Sequence, residues 1–260
     1  MVRAEEKPNC KVCGALCAAF DRAIVLKMYE VAYFRCESCG FIQTEEPYWL
    51  GEAYSSAIAR QDVGIMFRNM TNCDVTTALL NLVLPETVDA VDFGGGHGVF
   101  VRMMRDRGFN FYWSDRYASN DYAPGFEAPE GKTFDFLTAF EVLEHFVDPA
   151  SGIARLMELS ENVLVSTAIV PKPAPRISDW WYFSPSSGQH VSFYTETAIS
   201  DLARRFGRHV LSSNSYHLFT AKPRSRVLFR LATSPRAAKV INALHRRPSL
   251  IESDLNRMTA

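Results

Sequence analysis

Four cysteines near the amino terminus fall into two C-x2-C pairs, Cys10 with Cys13 in CKVCG and Cys36 with Cys39 in CESCG. A pair at this spacing turns two sulfurs toward one ion, and the glycine that follows each pair takes the backbone conformation that frees amides to face sulfur. Four thiolates close a tetrahedron with no open position, so Cys10, Cys13, Cys36 and Cys39 are expected to hold a structural zinc ion. The 22 residues between the pairs read as strand-rich. Cys17 and Cys73 fit no pair and are expected to be small buried hydrophobes.

A second constellation lies in VDAVDFGGGHGVFVRMMRDRGF (88–109): a short apolar run, a glycine turn, then an amphipathic helix ending at Gly108. Such a turn brings backbone close to a ligand and aims helix N-terminal amides at it. Read as G-x-G-x-x-G from Gly94, the loop has Val99 where a dinucleotide-binding loop needs its third glycine. Read from Asp92 it is D-x-G-x-G-x-G, with Gly94, Gly96 and Gly98 in place.

The elements that must position these residues follow the same alternation. NFYWSD (110–115) reads as a second strand, FDFLTAFEV (134–142) as a buried central strand, DPASGIARLMEL as a helix and NVLVSTAIV (162–170) as another buried strand. TETAISDLARRFG (195–207) opens on Thr195 as N-cap and ends at Gly207 as a helix. HVLSSNS and YHLFTAK form a terminal strand pair. Strands alternating with helices define an α/β domain with a mostly parallel sheet. Ahead of it, 46–84 has apolar residues at helical spacing and is expected to connect two units.

The glycine loop resembles the first motif of class I S-adenosylmethionine (SAM)-dependent methyltransferases. Asp115, 23 residues after Asp92, matches the acid at the end of that family's second strand, and FDFLTAFEVLEHFVDP (134–149) is similar to its fourth-strand signature. The resemblance covers roughly 85–221 and implies a Rossmann-like doubly wound sheet with a small zinc-ribbon-like unit in front. It also implies that SAM is held by Asp92, Gly94, Gly95, Gly96, Gly98, Asp115, Arg116, Phe140 and Glu141, with Asp115 accepting from both ribose hydroxyls. The short interval between Asp115 and Phe134 leaves little room for the usual third strand and helix, so adenine contacts near Phe126 and Glu127 stay open. Zinc knuckles before such a domain resemble, more loosely, bacterial deoxysugar and surface-polysaccharide methyltransferases. This implies a small polar acceptor, a nucleotide-linked or polysaccharide sugar. A zinc-containing RNA methyltransferase and a non-catalytic SAM-binding protein are the competing readings.

Methyl transfer to a hydroxyl or a carbon acid needs alignment of the acceptor and removal of a proton, and histidine is the economical base at neutral pH. His190, in SSGQHVSFYT just before the 195–207 helix, is the favoured base, with a hydrogen-bonded loop anchor as the alternative. His145, in LEHF after the 134–142 strand, is the second catalytic candidate, in a position that more often has a structural or cofactor-loop role; His97 is expected to shape the glycine loop. The loop PKPAPRISDWWYFSPSSGQH (171–190) carries Trp180, Trp181 and Tyr182, aromatic faces suited to a sugar ring or to plugging the sheet. Tyr54, Asp62 and Arg68 in the connection are candidates for reaching cofactor or substrate.

The formal net charge of −1 over 260 residues conceals an asymmetry. From Lys222 onward nine basic residues face only Glu252 and Asp254, so this tail is +7 and the body is −8. An acidic body without a dense Lys/Arg run speaks against nucleic acid as partner. The tail is expected to pack on its own domain or on a second copy of the chain, with peripheral contact to an anionic membrane as an alternative. With 47% hydrophobic and 22% charged residues the chain is globular, and no apolar run is long enough to span a bilayer. The polar amino terminus leads us to expect a cytoplasmic protein, in which cysteines bind metal rather than form disulfides. The expected organisation is a zinc-knuckle unit at 1–45, a helical connection at 46–84, a methyltransferase domain at 85–221 and a basic extension at 222–260.

Overall fold

The structure is a computed structural model that describes residues 7–54 and 63–259; Asp62 lies outside the described residues. Its first unit contains β1 (Cys17–Val25), β2 (Tyr29–Cys36) and β3 (Ile42–Thr44), followed by a short helix α1 (Leu50–Ala53) and the long helix α2 (Ile65–Leu82). The glycine turn then separates β4 (Asp89–Phe93) from α3 (Val99–Asp106), and β5 (Asn110–Ser114), β6 (Phe136–Phe140), α4 (Pro149–Leu159) and β7 (Asn162–Ser166) follow. A two-residue strand β8 (Ser192–Phe193) precedes α5 (Glu196–Arg205), β9 (His209–Ser213) and β10 (Tyr216–Thr220). The tail folds as α6 (Arg226–Ala232), α7 (Pro235–Leu244) and α8 (Ile251–Thr259).

Six strands form one sheet in the order β5-β4-β6-β7-β10-β9. β5, β4, β6 and β7 are mutually parallel, and β10 runs antiparallel to both β7 and β9. The apolar runs of β4, β6 and β7 are buried because helices cover both faces, as a parallel sheet requires. α4 starts where the sequence places it, with Asp148 capping Ala150 and Ser151 and Pro149 in the first turn. Thr195 caps α5 through the Ala198 amide. This is the α/β doubly wound fold, and the chain leaves β4 first for β5 on one side and then for β6 on the other. The crevice at that switch point, above the carboxyl ends of β4 and β6, is where such sheets bind ligands.

The short interval after β5 carries no full third strand. Residues 126–128 form a single parallel bridge instead, with the Trp113 amide donating to the Phe126 carbonyl and the Ala128 amide to the Trp113 carbonyl, both at 2.7 Å. Phe126 turns into the core under the Arg105 guanidinium, 3.6 Å from its ring centroid, so it does not reach the crevice. Glu127 is occupied with the Asn120 side chain and the Gly125 amide.

The cysteine-bearing strands make a second, antiparallel sheet in the order β1-β2-β3-β8. The break expected near residue 45 is therefore bridged, because β8 comes from residues 192–193 and pairs with β3 at Ile42–Phe193 and Gln43–Ser192. An isolated β3 edge would expose unpaired amides and carbonyls, and β8 covers it. The core is continuous as well: the buried Cys10, Cys36 and Phe41 pack in one apolar cluster with Tyr194, Ile199 and Leu202.

The basic tail lies on its own domain. Phe229, Ala232 and Ala238 are buried, and the Asn242 side chain donates to the Asp74 carbonyl of α2 at 2.9 Å. α8 is fastened by a buried bidentate pair, Arg105 Nε to Asp254 Oδ2 at 2.8 Å and Nη2 to Oδ1 at 2.6 Å, with Arg102 also on Oδ2. Burial pushes the Asp254 carboxyl up, but the hydrogen bonds and fields of Arg105 and Arg102 overcome it and hold the group below the usual carboxylate range. Removing the acid strands a buried guanidinium, a loss of about 3 kcal/mol or more. Asp254→Ala is expected to lower the urea midpoint accordingly, and an unchanged midpoint shows that the Arg105–Asp254 pair does not stabilise the fold.

Candidate active site and metal centre

The four cysteine sulfurs expected to bind metal come together within 4.8 Å of one another. Cys10 Sγ lies 3.6 Å from Cys39 Sγ, and Cys13 Sγ 3.5 Å from Cys36 Sγ. Four sulfurs about 2.3 Å from a central ion are about 3.8 Å apart, so the cage fits tetrahedral zinc. Gly14 and Gly40 both have positive φ, and the Ser38 and Cys39 amides donate to Cys36 Sγ at 3.4 Å as knuckle amides should. A hydrogen bond from the Cys39 thiol holds Cys10 down at about 5, favouring the thiolate a metal needs. Cys17 is fully buried beside the cage and burial pushes its thiol up to about 12. Cys73 is buried too, in the other core.

A cavity of about 710 Å³ opens at the switch point. One end is the glycine loop, whose Asp92, Gly94, Gly95 and Gly96 line it together with His97 and Asp115. Gly98 has φ +84° at the cap of α3, and a Cβ there would sit 2.3 Å from Asn120 Oδ1, so glycine alone fits. Asp115 ties the loop to β5: its Oδ2 accepts from the Gly96 amide at 2.9 Å, and Oδ1 accepts from the Tyr117 and Ala118 amides at 2.6 and 3.0 Å. Asp92 accepts from the Thr138 hydroxyl at 2.6 Å, and burial pushes its carboxyl up to about 7 against that bond. His97 pairs with Asp121 at 2.7 Å, which is the loop-shaping part expected of it.

The other end is built from the segments after β6 and before α5. Phe140 and Glu141 line the cavity, and Glu141 has φ +52°, a conformation rarely held by a side chain of its size. The Ser166 hydroxyl, donating to Glu141 Oε1 at 2.6 Å, holds the carboxylate in place. His145 and His190 both face the cavity, with ring centroids 5.1 Å apart. His190 Nδ1 donates to the Tyr182 carbonyl at 2.7 Å, and His145 Nδ1 shares a 2.7 Å hydrogen bond with the Tyr54 hydroxyl. Beneath them Glu144 is completely buried. Burial pushes Glu141 and Glu144 up to about 7, and it lowers both histidines, His145 to about 3.

Three of the sequence-based expectations are corrected. Tyr182 is 1% exposed, its hydroxyl on Thr167, so it anchors His190 through its carbonyl instead of facing substrate. Trp180 packs on Tyr182 and Phe183 and does not line the cavity; Trp181, 78% exposed, does. Arg116 points over the Tyr117 ring and is absent from the cavity wall. Spacing in a loop does not say which of three consecutive aromatics faces the core, and the 3-10 turn at Trp181–Phe183 decides it.

The wall also holds residues that sequence reasoning passed over, among them Tyr117, Tyr122, Asn69, Asn72 and Gln189. Tyr54 and Arg68 of the expected connection do reach it. Tyr54 stacks on Tyr117, 4.9 Å between centroids and 17° between planes. The segment that carries His190 is pinned on one side by the cysteine-bearing unit and its extension. Trp49 Nε1 donates to the Gly188 carbonyl, Gln189 Nε2 to the Ala53 carbonyl and the Thr44 amide to the Val191 carbonyl. From the other side the Val191 amide donates to the Glu144 carbonyl at 2.9 Å.

A doubly wound sheet whose switch-point cavity joins a glycine loop and an acid after the second strand to two histidines is the ligand-binding arrangement of open α/β sheets. The family model described as a methyltransferase domain matches residues 66–213, and the chain belongs to that family. No curated protein matches the chain. Among solved structures, an O-methyltransferase family protein from Burkholderia thailandensis is 17% identical with a TM-score of 0.47, covering 66% of this chain and 66% of that one. The present chain thus spans just under two thirds of that relative. The plantazolicin methyltransferase BpumL in complex with SAH is 10% identical (TM-score 0.42; 62% of this chain, 78% of that one). Streptomyces venezuelae DesVI is 11% identical (TM-score 0.44; 64% and 99%). Among the described residues no helix is long and apolar enough to cross a membrane.

Proposed function

We propose that the protein transfers the methyl group of SAM to a hydroxyl of a small polar acceptor, a nucleotide-linked or polysaccharide sugar, with zinc held by Cys10, Cys13, Cys36 and Cys39 as a structural ion. The observation that carries this reading is the single cavity with the glycine loop and Asp115 at one end and Glu141, His145 and His190 at the other. Bound SAM supplies an electrophilic methyl on a sulfonium. Asp115 is placed to take the ribose hydroxyls, and the backbone of the glycine loop to cradle the rest of the cofactor. The acceptor lies between that methyl and the histidine pair, where Trp181 and Tyr117 offer flat faces to a sugar ring. Its hydroxyl loses a proton at the His/Glu end, the oxygen forms the new C–O bond, and the sulfur leaves with the electron pair as S-adenosylhomocysteine. Alignment of the two reactants accounts for most of the acceleration.

Calorimetry with SAM, followed by an assay for S-adenosylhomocysteine against a panel of nucleotide-linked sugars and oligosaccharides, tests the proposal. SAM binding with turnover on a sugar is the expected result. Binding without turnover on any acceptor favours a non-catalytic SAM-binding protein, and turnover only on RNA overturns the acceptor class.

A further inference from the structure

Glu144, His145 and His190 place one ligand atom each within 4.8 Å of one another, the only such group among the described residues besides the four cysteines. Two imidazoles and one carboxylate form a donor set that divalent first-row ions accept, and the two rings line the cavity while the carboxylate lies buried behind them. The rings are held as ligating histidines are held. The Tyr182 carbonyl takes the His190 Nδ1 proton and the Tyr54 hydroxyl takes His145 Nδ1, so each ring is oriented by an outer partner through one nitrogen.

The carboxylate gives an independent sign. Glu144 is completely buried and neither of its oxygens accepts a hydrogen bond of ordinary geometry, although its own backbone amide and the Tyr182 and Thr167 hydroxyls lie near enough to lower its pKa against the effect of burial. A buried carboxylate whose neighbouring donors are poorly aligned is costly unless a cation completes it. Glu141 adds a second, half-buried carboxylate on the cavity wall, and Arg68 is the side chain whose positive field reaches both.

We propose that Glu144, His145 and His190 bind one divalent cation of the Mn²⁺, Co²⁺ or Zn²⁺ type, and that the acceptor hydroxyl coordinates to its open side. The inference rests on the methyltransferase reading of the cavity. It changes the part expected of His190 from proton acceptor to metal ligand: the ion lowers the proton affinity of the bound hydroxyl, and the proton leaves to water through the cavity mouth. It also gives the His/Glu end a basis for selecting acceptors, since a sugar with two adjacent hydroxyls can chelate the ion.

The experiment uses the full-length, zinc-loaded protein and Mn²⁺ alone, followed by electron paramagnetic resonance, with SAM calorimetry in parallel. Mn²⁺ is a poor competitor for a four-thiolate cage, so the two sites are read separately. One Mn²⁺ per chain is expected. Glu144→Gln and His190→Ala, each checked for folding by circular dichroism, should weaken it by about a hundredfold or more, beyond the loss typical of an outer partner, with SAM affinity retained. No Mn²⁺ or Co²⁺ binding by wild-type protein, or unchanged affinity in the folded variants, overturns the cation site. Failure of wild-type protein to bind SAM while Mn²⁺ binds overturns the methyltransferase reading instead, so the two failures are distinguishable.

Discussion

Stripping zinc from the four-cysteine cage is expected to lower methyl transfer by about a hundredfold while leaving SAM affinity little changed. The reason is where the cage sits relative to the two ends of the cavity. The glycine loop and Asp115 are held by β4, β5 and α3, none of which pairs with the cysteine-bearing sheet. The His190 segment has the opposite support: β8 pairs with β3, Thr44 holds Val191, Trp49 holds Gly188, and the Ala53 carbonyl holds Gln189. The Thr195 hydroxyl, which caps α5, also donates to the Cys39 carbonyl inside the second knuckle. A small sheet stapled by one ion relaxes when the ion leaves. A displacement of about 1 Å at a reacting group is enough to cost about a hundredfold in rate. Cys36→Ser, followed by turnover, SAM calorimetry and circular dichroism, reads the effect. Loss of turnover and SAM binding in parallel, or loss of neither, sinks the idea that the zinc unit positions the acceptor end.

The complementary outcome is expected at the other end. Asp115→Ala should abolish measurable SAM binding or weaken it by at least about a hundredfold. The carboxylate receives three backbone amides, from Gly96, Tyr117 and Ala118, so its removal unties the glycine loop from the end of β5. It also removes the acceptors proposed for the ribose diol. Hydrogen bonds to a charged group contribute about 1.5–3 kcal/mol each, and losing two corresponds to a Kd increase of more than about a hundredfold. The four-cysteine cage lies outside this network, so its zinc content should be unchanged. A variant that binds SAM with wild-type affinity excludes Asp115 from the cofactor site. Together the two substitutions separate cofactor binding from acceptor alignment, because each end of the cavity has its own scaffold.

The outcomes of the sequence reading follow physical range. The C-x2-C knuckles, the glycine turn, the Asp148 and Thr195 caps and the buried parallel strands are encoded in residues a few positions apart, where spacing alone sets geometry. The order of elements made the doubly wound sheet and its switch point foreseeable as well. The break at residue 45 was not so simple, because a three-residue strand pairs with another about 150 positions later and only the need to cover an open edge joins them. The same range separates Trp181, which faces the cavity, from Tyr182, which fills the core.

Sequence by itself thus marked the four-cysteine cluster and the glycine loop, and the sheet that presents the second. Tertiary structure decided their relation. It set Tyr54 on His145, Trp49 behind Gly188 and a buried Glu144 under two histidines, contacts between segments 91, 139 and 46 residues apart in the first two cases and in the Glu144–His190 pairing. Local propensity carries no information about which distant backbone will close an edge or which buried carboxylate will meet which ring; packing of the whole chain does.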